Sequence, residues 1–239
     1  MNTVYRQKGF ECRSLGAMQG HATKMEERRG TCGGIGKQFE IKTVDCISEI
    51  NTDPLFVLGS VEFLENYIGH RKPDYYPEWS KNFWRRDIIV NSKFSDYTDH
   101  LDNVIDMFVK PSDKYKRFEG VLSKTGFCVE TTQPPFDISE VVNFVDEWRY
   151  FVANGKVICS WWYKGSDETC EKNPHGPSIA HMDIPKDFCG AVDMGILDTG
   201  ELALVEVQHP YAIGWYGEND TIEDYFTFLR QGFEYLKYN

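Results

Sequence analysis

No apolar stretch in this chain approaches the ~18–20 residues needed to cross a bilayer, which sets aside a membrane-spanning protein. Arg6 and Lys8 near the N-terminus are not followed by the apolar segment of a secretory signal. The seven cysteines (Cys12, Cys32, Cys46, Cys128, Cys159, Cys170 and Cys189) are odd in number and include no Cys-x-x-Cys pair. That pattern predicts free thiols in a reducing compartment rather than a disulfide framework or a zinc site. Positive charge is in deficit: 26 Lys plus Arg stand against 37 Asp plus Glu, for a formal net charge of −11. Such a surface repels a phosphate backbone, so nucleic acid is not an expected partner, although a local basic pocket for a nucleotide is compatible. A cytoplasmic protein is expected.

What is present is the material of an ordinary globular protein. The 239 residues are 41% hydrophobic and 26% charged, enough to bury a core without staples. Aromatics at 15% are abundant and predict ring-rich packing. Residues 1–38 have weak periodicity and read as an irregular arm; residues 39–103 read as an N-terminal α/β part, and residues 104–239 as the main core. Phe39 to Val44 alternates like a half-buried strand, and Leu55 to Leu58 reads as a buried one. Ser60 is placed to cap a short helix, and Pro73 and Pro77 break the chain around Tyr75 and Tyr76.

The second half is more regular. A strand is expected over residues 104–110, ending at Pro111. Glu147 to Val152 and Lys156 to Trp162 alternate on either side of Asn154-Gly155, a hairpin signal because both residues tolerate positive φ. Ala191 to Leu197 and Leu202 to Gln208 repeat the pattern around Asp198-Thr199-Gly200. From Asp220 onward an apolar stripe (Ile222, Tyr225, Phe226, Leu229, Phe233, Leu236) follows a capping box with Glu223. Hairpins flanking a few helices predict an α+β fold.

A phosphate loop is not among the motifs. The cluster Gly30, Gly33, Gly34, Gly36, Lys37 has Thr31 where the first Walker glycine belongs and Gln38 in place of the hydroxyl. Other residues offer chemistry. Lys110 ends a strand, and Lys114, Lys116 and Arg117 follow in a loop. One fixed cation and one mobile cationic flap suit a polyphosphate; a solvated charged turn is the plainer reading. Arg149 lies on a strand amid apolar neighbours and needs a partner, which a phosphate or a core pair with Glu147 or an Asp would supply. Asp193 on one strand, with Glu206 and Gln208 on one face of the next, offers three oxygens suited to Mg²⁺, or else solvent-facing carboxylates. The apolar neighbours of Glu206 speak for a buried strand. His175, His181 and His209 read as polar loop or strand-end residues, with His209 beside Gln208 a candidate substrate contact.

The order of these segments resembles the ATP-grasp superfamily: Phe-Val-Lys-Pro (108–111), Lys-x-Phe-x-Gly (116–120), Ser-Glu-Val-Val (139–142), Glu-Trp-Arg-Tyr-Phe-Val (147–152), Val-Asp-Met-Gly (192–195) and Val-Glu-Val-Gln (205–208). With Leu-Gly-Ser-Val-Glu-Phe (58–63) and Arg86, it is similar to a branch of small stand-alone ATP-grasp proteins of bacteria and phages. The resemblance spans residues 54–236. It implies two α+β subdomains whose antiparallel sheets grip ATP between them. It implies that Lys110 and Lys116 contact ATP phosphates, and that Glu140, Val141 and Val142 form a hinge meeting adenine or ribose. Arg149 would lie near the transferred phosphate, and Asp193 and Glu206 would hold Mg²⁺ together with Gln208, which stands where the family usually has Asn. The implied activity is ATP- and Mg²⁺-dependent ligation of a carboxylate to an amine (or thiol) through an acyl phosphate, with small-molecule or peptide substrates, in the cytoplasm of the cell or of a phage host. The alternative is a non-catalytic ATP-binding module or host-directed phage protein. Oligomeric state and substrate identity are left open.

Overall fold

The computed structural model describes residues 2–10, 39–92, 107–115, 120–123, 126–127, 135–210, 213–217 and 222–238. Its N-terminal layer is a three-stranded parallel sheet. Strands β1 (Asn2–Gln7), β2 (Phe39–Val44) and β3 (Phe56–Leu58) are arranged in the order β2-β1-β3. This corrects the expected irregular arm: its first residues form the central strand of a sheet shared with residues 39–44. Only Val4 and Tyr5 are apolar within β1, too few to show a period, yet both are fully buried. The rest of the proposed arm, including the glycine cluster, lies outside the described residues. Helix α1 (Val61–Ile68) follows β3, with the Ser60 hydroxyl accepting from the Phe63 N–H as its cap.

The two larger sheets are antiparallel. Strands β4 (Ile88–Ser92), β5 (Met107–Pro111), β6 (Gly120–Ser123), β7 (Gly126–Phe127) and β8 (Phe136–Glu140) form a five-stranded sheet in the order β4-β8-β5-β6-β7. Strands β9 (Phe144–Ala153), β10 (Lys156–Lys164), β11 (Gly190–Leu197) and β12 (Leu202–Gln208) form a four-stranded sheet in the order β10-β9-β11-β12. Residues 141–143 carry the chain from β8 to β9, from one sheet to the other. The β9–β10 hairpin turns through Asn154 (φ +50°) and Gly155 (φ +67°), as their identities predict. A short helix α2 (Asp167–Lys172) follows β10, capped by Ser166.

The last helix, α3 (Ile222–Tyr238), ties the layers together. Its buried stripe (Ile222, Tyr225, Phe228, Leu229, Gly232, Phe233, Leu236) repeats at helical spacing. Phe228 sits edge-on to Phe151 of β9 with centroids 5.1 Å apart. One residue off that stripe, Phe226 packs on Phe39 of β2 and Phe56 of β3, at 5.4 and 5.5 Å. The same helix therefore fills the space between the parallel sheet and the four-stranded one. The capping residue expected at Asp220 lies outside the described residues. No helix among the described residues is long and apolar enough to cross a membrane. Cys46, Cys159, Cys170 and Cys189 are free thiols.

Gly232 is where α3 comes closest to the chain leaving β12. A Cβ there would lie 2.6 Å from Cβ of Pro210. An ordinary helix-interior Gly→Ala change stabilises by about 1 kcal/mol. Here the overlap reverses the sign: Gly232→Ala should lower stability by roughly 1–3 kcal/mol in urea denaturation, as overpacking does. A variant more stable than the parent would show that this contact yields.

Candidate nucleotide and metal site

Strand pairing places the two proposed metal carboxylates face to face. Asp193 of β11 is the direct partner of Glu206 of β12, so both side chains leave the same face of the sheet. The next pair is Met194 with Leu204, which leaves Val205 as a bulge beside Glu206. Across β11 on the other side, Asp193 also pairs with Arg149 of β9. The arginine fork grips the carboxylate: Nε and Nη2 donate to Oδ1 and Oδ2 at 2.8 and 2.7 Å. Both groups are buried, Asp193 at 1% exposure and Arg149 at 8%. The core pairing of Arg149 with an aspartate, one of the two readings of the sequence, is thus present.

Glu206 is served from the facing sheet. Lys110, at the end of β5, donates its ammonium to the Glu206 carboxylate. The Tyr75 ring lies 4.8 Å from that ammonium and the Phe108 ring 5.4 Å from it. Burial alone would drive Lys110 toward its neutral form, but the charge and hydrogen bond of Glu206 outweigh it and hold the pKa above the ordinary value. Gln208 lies between the carboxylates, its Nε2 donating to Asp193 Oδ2 at 3.2 Å and to Glu206. Burial pushes Asp193 up to about 6, against the downward pull of Arg149.

A second ring of contacts, not read from the sequence, surrounds Arg149. The rings of Tyr163 and Tyr216 stack on each other at 5.3 Å and lie 5.5 and 5.3 Å from the guanidinium carbon. The Tyr163 hydroxyl donates to Glu147 at 2.6 Å, and Lys164 pairs with the same carboxylate. A register shift between Trp162 and Lys164 lets both neighbours reach Glu147. Simple alternation along Trp161-Trp162-Tyr163-Lys164 hides this arrangement. Tyr216, 46% exposed, comes from the loop after β12.

Other predicted residues have distinct places. Glu140 ends β8, with its backbone N–H donating to Asp87 O at 2.9 Å. Val141 and Val142 follow in the passage between the sheets, Val141 with 42% exposure. Lys116 lies outside the described residues, as do Arg117 and Phe118; Lys114 meets Glu62 at 3.6 Å. Arg86 reaches none of the carboxylates described above. It donates to the carbonyls of Leu204 and Val205 at 2.5 and 3.1 Å, pinning the bulge next to Glu206, and its guanidinium packs over Tyr76 and Phe144. Tyr75 and Tyr76 are buried packing residues. The segment 164–177 packs against β9 and β10, accepting hydrogen bonds from Trp148 at Asn173 O and from Tyr150 at Pro177 O. Rather than lying at the polar surface, His209 is half-buried, meets Lys72 O at 3.1 Å, and is pushed below its usual pKa by burial.

The donor set fits Mg²⁺ shared with phosphates, which takes one or two carboxylates from the protein. Asp193 and Glu206 supply these. No cluster of three His, Cys, Asp or Glu suited to a metal occurs among the described residues, so a third protein donor would have to be Gln208. Its amide presents the N–H end to the carboxylates, and a half-turn of the amide would present the oxygen instead.

Breaking the buried pair should be costly. Asp193→Asn leaves the Arg149 charge without its counter-ion and should lose about 3–5 kcal/mol, measured by urea denaturation. The double change Arg149→Met with Asp193→Leu removes both charges and should recover most of that loss. Equal stability of the single variant and the parent would refute the pairing.

Asp137 of β8 stands opposite Lys110 and is buried, with the Asn91 N–H donating to it at 2.9 Å. Burial lifts it to about 6, opposed by that hydrogen bond and the Lys110 charge. Its folded pKa exceeds the unfolded one, so the folded state binds more protons between about pH 4 and 6, and stability falls as pH rises through that window. Asp137→Asn should therefore be the more stable protein above pH 6, by about 2–3 kcal/mol, with the difference vanishing near pH 4. A difference independent of pH would show that Asp137 titrates normally.

Comparison with known proteins accords with this geometry. The sequence profile of a family described as an ATP-grasp domain, the second family of its clade, matches residues 83–223, more than half of the chain. The match takes in Lys110, Glu140, Arg149, Asp193, Glu206 and Gln208. A search of curated proteins found no match. Among solved structures, a RiPP-associated ATP-grasp ligase of Chryseobacterium gregarium, in complex with ADP and a leader and core peptide, is similar with a TM-score of 0.51 at 11% identity, over 96% of both chains. The ATP-grasp ligase PsnB, complexed with minimal precursor, Mg and ADP, aligns with a TM-score of 0.50 at 10% identity, over 95% of this chain and 97% of that one. The N5-carboxyaminoimidazole ribonucleotide synthetase of Thermotoga maritima aligns with a TM-score of 0.50 at 13% identity, over 97% of this chain and 76% of that one. The two antiparallel sheets meeting at Lys110 and Glu206 are an ATP-grasp fold, and the chain belongs to the ATP-grasp superfamily, in the clade family whose profile it matches.

Proposed function

We propose that the protein is an ATP- and Mg²⁺-dependent ligase that joins a carboxylate to an amine through an acyl phosphate. The observation that carries this reading is the facing pair of buried Asp193 and half-buried Glu206, held between Arg149 on its own sheet and Lys110 on the facing one. In the first step a carboxylate oxygen attacks the γ-phosphorus and the bond to the bridging oxygen breaks, releasing ADP. In the second the amine attacks the acyl carbon, phosphate leaves, and the amine loses a proton. Neither step needs a protein nucleophile; both need charge on phosphate oxygens to be met by fixed cations.

Lys110 suits that task because its ammonium is fixed at the junction of the two sheets. Arg149 spends Nε and Nη2 on Asp193, which leaves Nη1 for a phosphate oxygen. Asp193, Glu206 and Gln208 would hold Mg²⁺, which when bound offsets phosphate charge. Residues 140–142, where the chain passes between sheets, would meet the adenosine, and Lys116 would come from the loop after β5. The peptide and precursor partners of two of the solved relatives suggest a peptide as one substrate class.

The test combines binding with turnover. Mg·ATP at about 100 times its Kd should stabilise the fold by about 2.7 kcal/mol, read as a rise in Tm. Lys110→Ala should remove most of that rise, and ADP should appear over many turnovers only when a carboxylate and an amine are both supplied, the carboxylate alone releasing no more than about one equivalent per site. An unchanged melting curve at millimolar Mg·ATP rejects the nucleotide site. Tight Mg·ATP binding without ADP release across a broad substrate panel would favour the non-catalytic module, which the substitution of Gln208 for Asn also permits.

A further inference from the structure

A cavity of about 230 Å³ opens beyond the end of β12, lined by Asp74, Trp79, Asp187, Phe188, His209 and Tyr235 among others. None of these six belongs to the ion-paired cluster around Asp193. Three of them are aromatic and partly enclose the space: Trp79 and Phe188 have centroids 5.4 Å apart, tilted by 57°, and Phe188 and Tyr235 are 6.3 Å apart, edge to face. Two are carboxylates. Among the described residues neither Asp74 nor Asp187 has a hydrogen-bonded or ion-paired partner, and no Lys or Arg lines the cavity. Burial keeps His209 below its usual pKa, which favours its neutral form.

Both carboxylates act on the same place. The Tyr235 phenol is raised first by burial and then by the negative charges of Asp187 and Asp74. Arg71 pulls it the other way from outside the cavity, where its guanidinium donates to Leu236 O at 2.7 Å. Asp74 and Asp187 are both exposed residues at the mouth of the cavity, and partial burial raises the Asp74 carboxyl above its ordinary value. Aromatic faces together with unpaired carboxylates are the chemistry that recognises an ammonium ion. A second cavity, about 630 Å³, shares Asp187 and Tyr235 and continues along α3 past Arg230, Gln231 and Glu234, so its far part carries a cation and a carboxylate and suits an uncharged carbon chain rather than a second ammonium. It gives the remainder of an elongated ligand somewhere to lie.

We propose that this cavity is a recognition site for an alkylammonium group, whose carbon chain runs along the α3 groove. The site goes beyond the ligase reading and does not require it. Two sources share the chemistry, a free polyamine and a peptidyl lysine. Both are tested on the full chain without nucleotide, at 0.15 M salt, by calorimetry with spermidine and with a short blocked peptide bearing one lysine. Asp74→Asn with Asp187→Asn is the test variant, and Glu201→Gln, an exposed carboxylate elsewhere, controls for general attraction to an acidic protein.

The expected result is saturable binding of at least one probe. It should weaken at least tenfold in the double variant and stay unchanged in Glu201→Gln. Tighter binding of the peptide assigns a lysine side chain; tighter binding of spermidine assigns a polyamine. Either order supports the site. Absence of saturable binding by both probes, or equal affinity of the parent and the double variant, overturns it. Because no nucleotide is used, failure here leaves the ligase reading intact, and failure of Mg·ATP binding leaves this site intact.

Discussion

Two carboxylates placed opposite each other on paired strands are the constraint around which the site is built. Two like charges about 4 Å apart repel by roughly 4 kcal/mol at an effective dielectric of 20, and burial adds a desolvation cost to each. Asp193 and Glu206 are tolerated because compensating groups arrive from three elements. Arg149 comes from the neighbouring strand β9, Lys110 from the other sheet, and Gln208 from two positions along β12. Only one of these depends on the sheets meeting. The Lys110–Glu206 contact therefore makes the assembly of the site and the docking of the two sheets a single event.

The same logic extends outward. Glu147 repeats the motif of a buried carboxylate served by neighbours, with Lys164 and the Tyr163 hydroxyl as its partners. Tyr163 links the two carboxylates, because its ring packs on the guanidinium that holds Asp193. Arg86 works on the backbone instead. By pinning the carbonyls of Leu204 and Val205 it fixes the bulge from which Glu206 departs, while its guanidinium is stacked between aromatic rings of the loop and of β9. An arginine that counts toward the sequence resemblance thus acts here through the shape of a strand.

What the sequence made legible follows from the range of the interactions. Hairpins at Asn154-Gly155 and Asp198-Thr199-Gly200 rest on local φ preferences and were readable. So was the stripe of α3, because a helix shows its period over many residues. Strand β1 was not. It is short, has two apolar residues, and owes its place to partners more than thirty residues away. The pairing of Asp193 with Glu206 followed from alternation and a two-strand register. The tyrosines around Arg149 did not: Tyr163 reaches Glu147 through a register shift, and Tyr216 lies on a loop that no periodicity describes. Lys114, read either as part of a cationic flap or as a solvated charged turn, meets Glu62 at the surface, the contact of the second reading.

Charge balance shows what the described cluster still requires in the proposed reaction. Lys110, Arg149 and Lys164 supply three positive charges, and Glu147, Asp193 and Glu206 three negative ones, so the assembled cluster is close to neutral. Mg·ATP brings net negative charge into that neutral environment. Phosphate oxygens would have to share cations already bound to carboxylates, and a shared cation is worth less to each partner than an exclusive one. In the proposed reaction, further positive charge from elsewhere in the chain would strengthen the hold on the phosphates. The segment between β5 and β6 carries Lys116 and Arg117 and starts directly after the strand that ends near Lys110. Neutrality before binding and a cationic sequence following β5 are complementary in the proposed reaction: the fixed cluster would orient the phosphates, and the added cations would supply the net attraction that the cluster lacks.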